Sequence, residues 1–200
     1  MLNKALNFMT KASNIVILNL LWVLCSIPIF TIGASTTALY TVMLKLVKDE
    51  EGYIAKDFFE AFKGNFKQST ILWLIALAVA FVLFLDFRFF GTSNMVVIKM
   101  LQYIVTVITL IIAMILGYIF PMVAKFENTL QNYIKNSFYL VIIKLPTSII
   151  LLIFNVAPLI LTLWNIYTIV TGGLVYLVFG VALVAFINAH FLNKVFDTLS

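Results

Sequence analysis

The stretch Asn14–Lys48, NIVILNLLWVLCSIPIFTIGASTTALYTVMLKLVK, decides how this chain is read. Its first 31 residues carry no formal charge, and Pro28 and Gly33 interrupt the apolar run at its centre. Proline removes a backbone donor and glycine tolerates conformations closed to other residues, so the pair predicts a tight helical hairpin. The arms, residues 14–30 and 31–47, are each about 25 Å long as helix, short against a hydrocarbon core of about 30 Å. Lys45 and Lys48 can extend the second arm by snorkelling to the interface.

Outward from the hairpin the apolar character persists. The 200-residue chain is 64% hydrophobic and 10% charged, with a mean hydropathy of +1.12. Soluble domains are roughly half apolar and about a quarter charged. Further apolar runs at residues 70–90, 95–120, 145–163 and 170–190 are long enough to cross a bilayer. The expected fold is all-α: a polytopic transmembrane bundle of about six membrane helices, the first two being the short hairpin. Residues 1–200 then form a single transmembrane domain in the cell membrane. Lys4 and Lys11 ahead of an apolar run also fit a secretory signal, but the membrane-grade sequence that follows at once favours an anchor.

Charge sets the sidedness. With six spans and both termini cytoplasmic, only Arg88 and Lys99 of the 13 basic residues face outward, in accord with the bias of lysine and arginine toward the cytoplasm. A hairpin that dips into the membrane and returns gives the same sidedness, so charge does not separate the two arrangements. The net charge of +5 suits a face lying on anionic headgroups. Nucleic acid is not expected as a partner, because the lysines are interleaved with apolar runs.

Two segments are amphipathic. Residues 57–68 place Phe59, Phe62 and Phe66 opposite Glu60, Lys63 and Lys67, and residues 126–138 place Phe126, Leu130, Ile134 and Phe138 opposite Gln131, Asn132 and Lys135. Both are expected as helices in the cytoplasmic interface. A shift of 68 residues aligns them, pairing Phe58 with Phe126, Lys67 with Lys135 and Ser69 with Ser137. This suggests a parallel repeat over about 31–90 and 95–163, and such repeats occur in transporters.

The inventory argues against catalysis. One cysteine, Cys25, and one histidine, His190, supply neither a disulfide nor a zinc ligand set. There is no nucleophile motif beside His190 and no glycine-rich phosphate loop. No catalytic, cofactor or metal residues are therefore assigned. Polar residues within the apolar runs are instead read as interhelical contacts, foremost Gln102, Asn155 and Asn188.

Several short motifs carry a family likeness: Asn19-Leu20-Leu21-Trp22, Pro28, Thr31-Ile32-Gly33, Ala38-Leu39-Tyr40, Asp57-Phe58-Phe59 and Phe62-Lys63-Gly64-Asn65-Phe66-Lys67-Gln68-Ser69. In these the chain resembles the YesL family of uncharacterised bacterial membrane proteins. Members often carry proline after the hairpin glycine, where this chain has Ala34. The resemblance implies no molecular activity or site residue. It does imply a genomic setting beside binding-protein-dependent carbohydrate importers and their regulators. Two functions are therefore expected: an accessory component of ABC-type carbohydrate uptake, or a small stand-alone transporter or channel. For the accessory role the expected partners are the bilayer and an importer's membrane subunits or a membrane regulator, met through Asn19, Trp22, Pro28, Thr31 and Gly33.

Overall fold

The computed structural model describes residues 2–50, 52–90 and 95–198. Among these residues the chain is helical with no strand. The helices are α1 (Leu2–Cys25), α2 (Ile32–Val47, led in by a 3₁₀ turn at Ile29–Thr31), α3 (Ile54–Phe90), α4 (Val96–Lys125), α5 (Leu130–Ile143), α6 (Leu145–Leu163) and α7 (Ile166–Phe196). A π-turn at Tyr176–Gly180 interrupts α7. By length and composition five helices can cross a membrane: Ile29–Val47, α3, α4, α6 and α7. The apolar part of α1, Met9–Cys25, is shorter.

Burial separates α2 from the other four. The apolar window of α2 is 67% buried, against 11% to 17% for the rest. It is the axis of the bundle, packed by α1, α3, α4 and α7. Fully enclosed side chains around it include Leu18, Leu39, Met43, Phe58, Tyr118, Leu151 and Leu192. The outer parts of α3–α4 and α6–α7 instead expose large apolar groups such as Phe81, Phe84, Tyr103, Leu161 and Leu174, as helices in lipid do.

Alignment of α2 with α3 fixes the height of the hairpin. Lys45 Nζ pairs with Asp57 at 3.2 Å at the base, Thr37 and Ser69 share a hydroxyl hydrogen bond of 2.8 Å, and Trp73 Nε1 donates to the Ile29 carbonyl at 2.8 Å at the tip. The helices thus run antiparallel from Asp57 to Trp73. Beyond Trp73, α3 continues alone of the two through residues 74–90, about 25 Å at the usual rise.

Gly33 makes this alignment possible. A Cβ built there would lie 2.5 Å from the Ser69 carbonyl oxygen and 2.6 Å from Trp73 Cβ, so only glycine admits so close an approach. The base of the hairpin closes by a Schellman turn, in which Glu50 N donates to Lys45 O at 3.1 Å and Asp49 N to Leu46 O at 3.3 Å. Asp49 takes the left-handed conformation, φ 58°, which aspartate tolerates better than most residues. Ion pairs gather at this end: Lys11–Asp49 at 2.6 Å and Lys48–Asp197 at 2.6 Å join α1 and the end of α7 to the turn.

The two amphipathic segments differ from expectation in extent. Residues 57–68 are not a separate helix but the first turns of the unbroken α3. The sequence between Lys67 and Ile71 changes polarity without supplying proline or a cap, so nothing there stops the backbone ladder. Phe59 and Phe66 are exposed while Phe62 stacks on the buried Phe58. In the second segment α4 ends at Lys125, and α5 starts at Leu130 behind the Thr129 cap. Phe126 leaves the helix and packs edge-on against Phe196 at 5.3 Å. The Tyr133 hydroxyl, whose pKa is raised by burial, donates to the Phe126 carbonyl at 2.7 Å.

The contact at Gly33 yields a paired prediction. Gly33→Ala overpacks the α2–α3 contact and lowers stability in detergent by about 1–3 kcal/mol. Gly64→Ala, where a Cβ meets nothing within 4 Å, raises it by about 0.5–1 kcal/mol through helix propensity. Thermal unfolding of the two purified variants checks both signs.

Candidate functional site

The hairpin tip turns its polar groups inward. Between Cys25 and Ile32 the backbone leaves the α-helical ladder, and side chains meet its carbonyls. Thr31 Oγ1 lies 2.6 Å from both the Cys25 and Pro28 carbonyl oxygens, and the Trp73 indole takes the Ile29 carbonyl. Trp22 Nε1 donates to Thr36 Oγ1 at 3.1 Å, tying α1 to α2. Of the expected partner residues, Asn19, Thr31 and Gly33 are buried, Trp22 is partly so, and Pro28 is exposed. The exposed surface of the tip is made by Leu24, Ile27, Ile29 and Phe30.

Asn19 has a further role that its sequence context did not reveal. A π-turn shifts the bonding register of a helix and leaves backbone groups without their usual partners. Asn19, fully buried on α1, supplies them. Its Nδ2 donates to Leu177 O at 2.8 Å and Tyr176 O at 3.2 Å, and its Oδ1 accepts from Ala182 N at 2.9 Å. Gly180 lets the turn close, because a Cβ there would meet the Tyr176 ring at 2.8 Å.

Beside this clamp the first arm, α2, α6 and α7 enclose a cavity of about 450 Å³, whose lining includes Trp22, Thr36, Tyr40, Asn155, Leu177 and Val181. Behind its wall Asn188 Nδ2 donates to the Tyr40 hydroxyl and to Asn155 Oδ1, each at 3.2 Å. Asn155 Nδ2 in turn bonds Leu151 O at 2.7 Å. The structure thus brings together two of the three expected intramembrane contacts, Asn155 and Asn188. Gln102 stands apart, 15 residues and about 22 Å along α4 from the Gly117 that approaches Asn155. Sequence reasoning missed Tyr40 because a tyrosine in an apolar run passes for packing. Its spacing of four from Thr36, on one helix face, was the available signal.

Replacing the clamp with a hydrocarbon of similar size isolates its contribution. Asn19→Leu strands the Ala182 amide and the Leu177 carbonyl, and the expected cost is about 2 kcal/mol. Faster hydrogen exchange at Ala182, together with a lowered unfolding temperature in detergent, checks it.

Comparison with known proteins falls on the same region. Residues 15–87, which contain the hairpin and nearly all of α3, match the family model described as protein of unknown function, DUF624. The chain is 27% identical over 164 residues to the uncharacterized protein YesL of Bacillus subtilis (strain 168), covering 80% of this chain and 77% of that one. It is 25% identical over 143 residues to the uncharacterized protein YteU of the same organism, covering 70% of this chain and only 64% of YteU. No solved structure matches. Asn19, Trp22, Thr31, Gly33 and Tyr40 all lie inside the matched segment, so the likeness to DUF624 falls on the hairpin and the long helix it packs against, and together with the likeness to YesL and YteU it supports a YesL-like family.

Proposed function

We propose that the protein is a multi-pass component of the cell membrane that serves as an accessory to carbohydrate uptake. In this reading α3, α4, α6 and α7 cross the bilayer, and the α1–α2 hairpin enters from the cytoplasmic side and returns. Lys67 and Asp86 bracket an uncharged stretch of α3 about 27 Å long, one crossing of the core. Trp73, where the hairpin tip sits, lies only about 9 Å along from Lys67. The tip therefore stops well short of the outer surface. Its carbonyls are met by protein side chains and its surface is apolar, as non-helical backbone at membrane depth requires. The ion pairs at the hairpin base lie on the cytoplasmic side with both chain ends, and α5 and the first turns of α3 lie at that interface.

The observation that favours an accessory role over transport is the use made of buried polar groups. Asn19, Thr37, Ser69 and Asn193 each bond a neighbouring helix, so they hold the bundle together. The link to carbohydrate uptake rests on the family resemblance. A partner would meet the protein through lipid-facing surfaces, including the apolar tip at Ile27, Ile29 and Phe30, since Trp22 and Asn19 face inward.

Cysteine labelling tests the arrangement. In a Cys25→Ala background, Lys48→Cys and Lys125→Cys are expected to resist an impermeant maleimide applied to intact cells, and Thr92→Cys to react. Ile27→Cys should remain unlabelled from either side, whereas a crossing hairpin exposes it outside. Purification from native membrane in mild detergent tests the role: importer subunits or a membrane regulator should accompany the protein, and Ile29→Ala with Phe30→Ala should weaken that association. Solute flux by the protein alone in liposomes, with no reproducible companion, would establish the transporter reading instead.

A further inference from the structure

We propose that a second cavity, at the inner ends of α4 and α5, is a binding site for a phospholipid whose headgroup carries a primary ammonium, as phosphatidylethanolamine does. Its volume of about 430 Å³ lies within the range of small-molecule sites. Glu127 is the one charged residue of the lining, and no ion pair among the described residues uses it. Its sign calls for a cation. The Asn136 carboxamide and the Tyr139 hydroxyl line the same space, and neither bonds to protein among the described residues. Carboxylate and carboxamide oxygens accept hydrogen bonds, so they favour an ammonium with three N–H donors over a quaternary choline nitrogen with none. The wall that presents Glu127 is preformed. Asn128 N donates to the Tyr133 hydroxyl at 2.9 Å, and Asn128 Oδ1 accepts from Thr129 N at 2.9 Å and from Asn132 Nδ2 at 2.8 Å.

The acyl chains are argued from the direction of the cavity. Helix α5 runs back along α4, joined to it by the Tyr133–Phe126 bond at 2.7 Å and the Ser137–Met122 contact at 3.3 Å, with Tyr118–Ser148 at 3.1 Å continuing the alignment into α6. Glu127 and Asn128 therefore sit at the inner end of the cavity, and Leu140 and Ile143 lie deeper. From Asn136 to Ile143 is about 10 Å along the helix. Over that length the lining passes from polar to apolar, and Ile143 is 69% exposed, so chains can leave the site directly into lipid. A soluble amine would use the polar end alone. Lys135 Nζ stands 5.9 Å from the centroid of the Tyr139 ring, a cation at hand for the headgroup's phosphate. The site rests on the membrane placement proposed above, with the inner ends of α4 and α5 at the cytoplasmic interface, but not on the accessory role.

The test uses the full chain, purified in mild detergent and stripped of lipid, with dioleoyl phosphatidylethanolamine or dioleoyl phosphatidylcholine added at equal mole fraction. Native mass spectrometry counts the retained lipid. The wild type is expected to keep the ethanolamine lipid about tenfold better, the worth of a hydrogen bond to a charged group. Glu127→Gln, at an exposed position where folding is least at risk, should bring the two close to parity. O-phosphoethanolamine in large excess, the headgroup without chains, should fail to displace the bound lipid. Detergent admits lipid from either side, so a failed preference counts against the site, while the cysteine labelling in cells counts for or against the placement. Equal retention of the two lipids by the wild type, an undiminished preference in Glu127→Gln, or displacement by the headgroup alone would each overturn the proposal.

Discussion

Backbone groups that leave the helical ladder inside an apolar surrounding must find a protein partner, and this constraint shapes the structure more than any other. It applies at the hairpin tip, where the residues between Cys25 and Ile32 turn the chain around, and at the π-turn, where a helix slips its register. In both places the partner comes from a different helix or from the facing arm: Trp73 for Ile29, Thr31 for Cys25, Asn19 for Leu177 and Ala182. These bonds also fix how the helices sit. Without a driving force to squeeze helices together in lipid, close packing and such hydrogen bonds are what set their relative positions.

The result is an axis with two kinds of neighbour. Helix α2 is enclosed along most of its length and holds small or hydroxyl residues where it touches α3, Gly33 against Ser69 and Trp73 and Thr37 against Ser69, both buried. The pair α3–α4 packs on it only over its inner part, and of the pair α6–α7 it is α7 that packs on it. The cavity lies on one flank of the axis, where α6 and α7 approach the hairpin and the large side chains of Trp22 and Tyr40 hold the walls apart.

Much of this was legible in the residues. Apolar runs identified the membrane-grade parts of the helices, such as 145–163 for α6 and 95–120 within α4, because membrane-grade composition leaves a helix as the only way to satisfy the backbone. Pro28 and Gly33 located the tip. What could not be read was the relation between helices. The polarity change after Lys67 looked like a boundary between two elements, yet it marks a change of surroundings along one helix. Asn155 and Asn188 were recognisable as contacts, but their direct bond, with Tyr40 also bonding Asn188, depends on packing across three helices. Asn19 was visible as a motif residue, and its true partner was a helical distortion 157 residues away that no local pattern announces.

That distortion carries a consequence for how the chain tolerates insertion and deletion. A π-turn amounts to one surplus residue in an otherwise α-helical run, and each residue of an α-helix advances the side-chain direction by about 100°. Losing one residue between Tyr176 and Gly180 would leave a regular helix of the same hydrophobicity, indistinguishable by composition. Because the wider π-turn takes up the surplus residue within one turn, the side chains after it would keep their directions, Asn188 toward Tyr40, Asn193 toward Leu44 and Asp197 toward Lys48, and the Asn19 clamp is what would lose its partners. A single codon's deletion just past the π-turn, where the helix is regular, would instead rotate everything after it by about 100° and disconnect the last helix from the axis at three levels.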